Sequence, residues 1–191
     1  MNRIQKIILI GIVLVVIAGS GWFAYRTVFA GNAATLPASA PAASEGTTTG
    51  SLLPARTPPA GKQEYRNEQY RFSLFYPQGL AVQTYDEGNG ASTITISNSD
   101  ESQSFQIFIV PYDKTQIDQA RFKLDEPSGV ISQSTNIQIA GVSAMMFFGS
   151  NSKMGDTREV WFIRGGYLFE VNTYKDLDSW LSQIMQTWVF I

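Results

Sequence analysis

The chain of 191 residues contains no cysteine and no histidine. Without cysteine there are no disulfides, no thiolate nucleophile, no thiolate metal site and no lipidated N-terminal cysteine. Without histidine the commonest general base and the commonest transition-metal ligand are missing, which excludes imidazole-based triads and most zinc sites. Charge is also scarce at one end: between residues 1 and 61 only Arg3, Lys6, Arg26, Glu45 and Arg56 are charged, whereas from Lys62 onward charges recur every few residues. From residue 63 to 191 there are 9 basic and 15 acidic side chains, so this portion carries −6 against −2 for the whole chain. An acidic domain of this kind lacks the basic face of a nucleic-acid binder.

What the first third does have is one long apolar run. Arg3 and Lys6 precede 19 uncharged residues, 7–25, of which 11 are Ile, Leu, Val or Phe. As a helix this run is about 28 Å long, close to the roughly 30 Å hydrocarbon core of a bilayer. Trp22 and Tyr25 fall where an aromatic belt belongs, and the basic residues before the run place the N-terminus in the cytoplasm and the rest outside. A cleaved secretory signal is the competing reading, since Val28-Phe29-Ala30 and Ala38-Ser39-Ala40 offer small residues at cleavage-like spacing. The run exceeds the roughly 7 to 15 apolar residues of a signal, so an anchor is preferred. A type IV pilin stem is disfavoured because the run has no glutamate.

Residues 31–61 hold 5 of the 8 prolines, among Ala, Ser, Thr and Gly. Such a segment buries too little apolar surface to offset the entropy of ordering and is expected to be a disordered linker. The expected organisation is therefore an anchor over residues 1–30, a linker over 31–62 and a domain over 63–191.

The domain reads in period two, with turn residues between short runs. Strands are expected at 70–76, 81–85, 92–97 and 105–109 as a meander, then at 130–139, 142–149, 157–164 and 167–174. Ala144-Met145-Met146-Phe147-Phe148 is apolar on both faces, as in a central strand covered on both sides. Gly165-Gly166 can supply the positive φ values of a tight hairpin, which sets Arg164 opposite Tyr167, Glu159 opposite Asn172 and Trp161 opposite Glu170. Residues 115–124 have weaker helical spacing, with Ile117, Phe122 and Leu124 facing inward. Leu177, Trp180, Leu181, Ile184, Met185 and Trp188 form the stripe of an amphipathic helix, with Asp176 or Asp178 as its cap. The expected class is α+β: an antiparallel β-sheet of about six to eight strands packed against helices, preceded by a transmembrane helix and a disordered linker.

Tyr65-Arg66-Asn67-Glu68-Gln69-Tyr70-Arg71-Phe72-Ser73-Leu74-Phe75-Tyr76-Pro77 resembles the start of PsbP-like domains, "Tyr, polar stretch, Gly-Phe-Ser-apolar-x-Tyr-Pro". Thr187-Trp188-Val189-Phe190-Ile191 after a closing helix is similar to their "Thr-Phe-x-Phe" tail. Arg71 stands where the pattern has Gly, and Leu80 where it often has Trp. The resemblance implies an antiparallel sheet with packed helices over residues 63–191. The photosynthetic members are lumenal subunits of photosystem II without such an anchor, and that role is not carried over.

Chemistry is sparse in what remains. The acidic turns Asp86-Glu87-Gly88-Asn89-Gly90 and Asn98-Ser99-Asp100-Glu101-Ser102 could pool oxygens for calcium if adjacent, but Asp, Asn and Gly are also what tight turns require. An enzyme without His or Cys needs paired carboxylates, a Ser-Lys dyad or a cofactor; Glu159 and Glu170, on the two arms of the hairpin, are the candidate acid/base pair, but their register offsets them by two positions, and they are expected to project to solvent. Gly88-Asn89-Gly90 and Gly165-Gly166 both join strands, so no phosphate loop is present. Trp161 is adjacent to Phe162 and thus on the opposite sheet face, exposed unless a helix covers it. No catalytic, cofactor or metal residue is assigned and no cofactor is expected. The leading expectation is a non-catalytic, membrane-tethered interaction module with the bilayer and an envelope protein as partners. A carboxylate hydrolase, a small-ligand or calcium-binding domain, and a structural envelope component are the alternatives.

Overall fold

The computed structural model describes residues 55–151 and 155–191; the expected anchor at 7–25 and the linker up to residue 54 lie outside them. Residues from Ala55 onward form one compact unit, and among the described residues no helix is long and apolar enough to cross a membrane. The unit takes in the last residues of the expected linker. Arg56 donates to the Thr187 carbonyl at 2.8 Å and lies 4.0 Å from the centroid of the Phe75 ring.

Among the described residues ten strands build two antiparallel sheets: β1 (Lys62–Asn67), β2 (Phe72–Pro77), β3 (Ala81–Gly88), β4 (Ala91–Ser97), β5 (Ser104–Pro111), β6 (Ser132–Ile139), β7 (Val142–Asn151), β8 (Gly155–Arg164), β9 (Tyr167–Tyr174) and β10 (Val189–Phe190). Among the described residues two short helices accompany them, α1 (Gln119–Asp125) and α2 (Asp178–Met185), the latter entered through a 3₁₀ turn at Lys175–Leu177. Seven strands form the large sheet in the order β3-β4-β5-β9-β8-β7-β6, and three form the small sheet β1-β2-β10. The strand at 72–77 therefore does not lead the expected meander. It belongs to a separate sheet with the end of the domain.

Alternation explains the main core. Ile94 and Ile96 on β4, Phe105, Ile107 and Ile109 on β5, Val160 and Phe162 on β8, and Phe169 and Val171 on β9 all point to one face of the large sheet and are almost fully buried. Phe72 and Leu74 of the small sheet and Leu181, Ile184 and Met185 of α2 complete this cluster. Trp188 stacks on Phe72 with centroids 4.4 Å apart and meets Phe162 edge-on. At roughly 25 cal/mol per Å² of buried apolar surface, each of these rings contributes on the order of 2 to 3 kcal/mol.

Turn chemistry sets the register. Gly165 and Gly166 have φ of 60° and 81°, the left-handed pair that a two-residue hairpin needs, and the expected pairs Arg164–Tyr167, Trp161–Glu170 and Glu159–Asn172 are all found. Arg71 adopts φ 59° in the turn between β1 and β2, which explains why the resembled pattern places glycine there.

Four expectations are corrected. The strand containing Ala144 to Phe148, β7, is next to the edge strand β6 rather than central. Only Ala144 and Phe147 in that stretch are fully buried, because α1 reaches over Phe147 while the sheet margin leaves Met145, Met146 and Phe148 half-covered. The first helix starts later than expected, at Gln119, with Asp118 capping it through the Arg121 amide at 2.8 Å. Ile117 and Phe122 pack inward but Leu124 is 62% exposed, since it lies on the opposite side of this short helix from Phe122. Neither Asp176 nor Asp178 caps α2: the 3₁₀ turn makes Leu177 the cap residue, and Asp178 pairs with Arg158.

Candidate functional site

The second face of the large sheet has its own chemistry. Strand parity sends Phe147 of β7, Thr157, Glu159 and Trp161 of β8, and Leu168 and Glu170 of β9 to this side. The helix α1 lies over them: Phe122 stacks on Trp161 with centroids 4.8 Å apart and planes 11° from parallel, and meets Phe147 at 6.0 Å. Trp161 is covered rather than displayed, being 2% exposed.

Glu159 and Glu170 sit beneath this cover, 6% and 5% exposed, so the expectation that they project to solvent is overturned. Its physical reason is α1, whose Arg121 and Asp125 stand one helical turn apart and both turn toward the sheet. Arg121 pairs with Asp125 and reaches Glu170 at 3.4 Å. Asp125 and Glu170 are close enough to share a proton; burial and the Asp125 charge push Glu170 well above the usual carboxylate range, so the proton sits on Glu170. Glu159 accepts from the Trp161 indole at 3.2 Å. Burial pushes its carboxyl up to about 8, with the nearby Glu126 charge adding to the rise and Thr157 and Trp161 offsetting part of it. Glu126 follows α1, accepts from the Ser128 hydroxyl, and is also pushed upward by burial. Gly149 gives it room: a Cβ there would lie 2.8 Å from Glu126 Oε2 and 2.9 Å from Thr157 Oγ1.

The structure thus gathers four carboxyls on this face: Asp125 and Glu170 pair with the Arg121 guanidinium, and Glu159 lies near enough to Glu170 and Glu126 for their charges to act on one another. Sequence reasoning found the two on the hairpin and missed the three groups from α1 and its end. The available signal was the Arg121 to Asp125 spacing of four on a segment already expected to be helical.

The acidic turns do not converge. Asp86 to Gly90 joins β3 to β4 and Asn98 to Ser102 joins β4 to β5, so they lie at opposite ends of a seven-residue strand, about 20 Å apart at roughly 3.3 Å per residue. Their oxygens serve the turns themselves: Asp86 accepts from the Gly88 amide at 2.8 Å, Asp100 from the Ser102 amide and hydroxyl, and Asn98 from the Gln103 amide. Among the described residues no group of three or more acidic side chains is arranged to hold a metal ion.

No family model matches the chain, and no curated protein matches it. In backbone trace it is similar to the solution structure of cyanobacterial PsbP (CyanoP) from Synechocystis sp. PCC 6803, with 14% identity, a TM-score of 0.49, and coverage of 73% of this chain and 98% of that chain. PsbP is also the family that residues 65–77 and 187–191 resemble. The likeness is one of fold alone.

Proposed function

We propose that this chain is a non-catalytic interaction module, anchored through residues 7–25 with its N-terminus in the cytoplasm and its domain held outside, where it acts as an accessory subunit bound to a protein of the cell envelope. The observation that supports this most is the state of the acid/base pair that the sequence offers. Glu159 and Glu170 are 6% and 5% exposed and are engaged by Trp161, Arg121 and Asp125. A general acid or base must come within hydrogen-bond reach of its substrate, and α1 fills that space.

Mild crosslinking in cells followed by affinity capture of the full-length chain tests the reading. The expected outcome is one specific partner recurring across growth conditions; recovering none counts against it. Alkaline carbonate extraction and protease treatment of spheroplasts test the tether: the chain stays with the membrane, and its C-terminal domain is digested from outside.

A carboxylate-based hydrolase or small-ligand binder is favoured by one observation, the convergence of four carboxyls on one face. It requires α1 to lift. Under that reading Glu159→Gln combined with Glu170→Gln abolishes turnover or ligand binding, whereas under the leading one it leaves partner capture intact.

A further inference from the structure

The segment between β5 and β6 is the only covering that the second face of the large sheet has among the described residues, and it is thinly built. Its helix has seven residues, none of them fully buried. Its hold on the sheet includes the Phe122 contacts with Trp161 and Phe147, Ile117 and Tyr112 beside them, and the Arg121 link to Glu170; the Arg121–Asp125 pair lies within the helix. Beneath it lies an imbalance of charge. The helix brings Arg121 and Asp125, the residue after it brings Glu126, β8 brings Glu159 and β9 brings Glu170. From β5 and β7 this face receives Phe108, Val110, Met145, Phe147 and Gly149, none of them charged. The Lys114–Asp118 pair at the helix start is exposed and closes on itself.

We propose that α1 is a proton-latched cover: it lies shut on the Trp161 face while Glu159 and Glu170 keep their protons, and it lifts when they ionise. Four carboxylates against one guanidinium would leave three uncompensated negative charges in a largely dry layer. Such a layer relieves itself at the least expensive place, which on this face is the short helix, none of whose residues is fully buried. The β8–β9 hairpin, fully covered on its other face by the main core, stays in place. Protonated, the same groups donate: Glu170 to Asp125, with Arg121 neutralising the latter. Burial raises both glutamates above the usual carboxylate range, Glu159 to about 8, and the Glu159 value puts the opening on the alkaline side of neutrality.

Hydrogen exchange of the full-length chain, read by mass spectrometry at pH 6 and pH 9 and corrected for intrinsic rates, tests this without any partner. It is therefore independent of whether the interaction reading holds. Protection over residues 119–125 is expected to fall about tenfold or more at pH 9 while the β8–β9 amides keep theirs. In Glu159→Gln/Glu170→Gln, isosteric and unable to ionise, protection of 119–125 is expected to be the same at both pH values. Unchanged protection in the wild-type chain overturns the proposal. So does an equal loss in the double variant, and so does a loss that spreads to β8 and β9, which would be unfolding rather than opening.

Discussion

Glu159 carries the sharpest single-residue consequence. Its carboxyl is raised from 4.5 to about 8, so between those values the folded chain binds a proton that the unfolded chain has released. Stability is then lost as pH rises through that window, by an amount on the order of 4 to 5 kcal/mol at most, at about 1.36 kcal/mol per pH unit. Glu159→Gln is expected to be near neutral at pH 5 and to raise stability by several kcal/mol over wild type at pH 9, measured by urea denaturation at both values. Arg71 gives a second test at this scale. With φ at 59°, a side chain at this position carries the left-handed penalty of about 1 to 2 kcal/mol. Arg71→Gly and Arg71→Val both remove the guanidinium bond to the Ile191 carbonyl, yet the glycine variant is expected to be the more stable by about that amount. The Arg71 departure from the resembled pattern was legible in the sequence, and its meaning was not, because only the backbone reveals the sign of φ.

At the scale of elements, local chemistry was readable wherever it was self-contained. Two glycines between period-two runs were enough to register β8 on β9, and with it the shared face of Glu159 and Glu170. The C-terminal stripe announced a helix, although Trp188 lies beyond its last turn and acts as a core residue after it. What failed depended on neighbours far away in sequence. Whether Ala144 to Phe148 sits at the centre of a sheet is decided by strand order, which alternation does not encode. Whether Glu159 meets water is decided by where a seven-residue helix lands, and that helix carries one aromatic anchor and an ion pair rather than a full apolar stripe. The small sheet is the element whose loss should matter most. Phe72 is fully buried and touches Trp188, Phe169 and Tyr65, so Phe72→Ala is expected to cost about 3 to 5 kcal/mol in chemical denaturation. Gly149→Val, which presses on Glu126 and Thr157, is expected to cost about 1 to 3 kcal/mol.

For the molecule as a whole, the raised carboxyls act in one direction. Glu126, Glu159 and Glu170 each favour the folded state below their folded values, whereas Asp100 and Asp118, held low by hydrogen bonds to Ser102 and Lys114, withdraw support only in stronger acid. A thermal melt across pH 4 to 9 is therefore expected to peak near the acid end of that range and to decline from about pH 4.5 to about pH 8, the window between the ordinary and the folded values of Glu159, and a flat profile would refute the buried-carboxyl account. The outline of one β-rich domain behind a charge-poor N-terminal third was visible in composition, and so was the absence of imidazole and thiol chemistry. The division into two sheets was hidden, because β10 is two residues long and pairs across more than a hundred positions of chain with β2. That pairing governs the order in which the protein can be made. Thr187 receives the Phe75 amide, Ile191 returns a bond to Arg71, and Trp188 fills the space over Phe72. Until residues 187–191 leave the ribosome, β2 has one neighbour instead of two and the core lies open on that side. The domain must wait in an incomplete, aggregation-prone form until residues 187–191 have been synthesised.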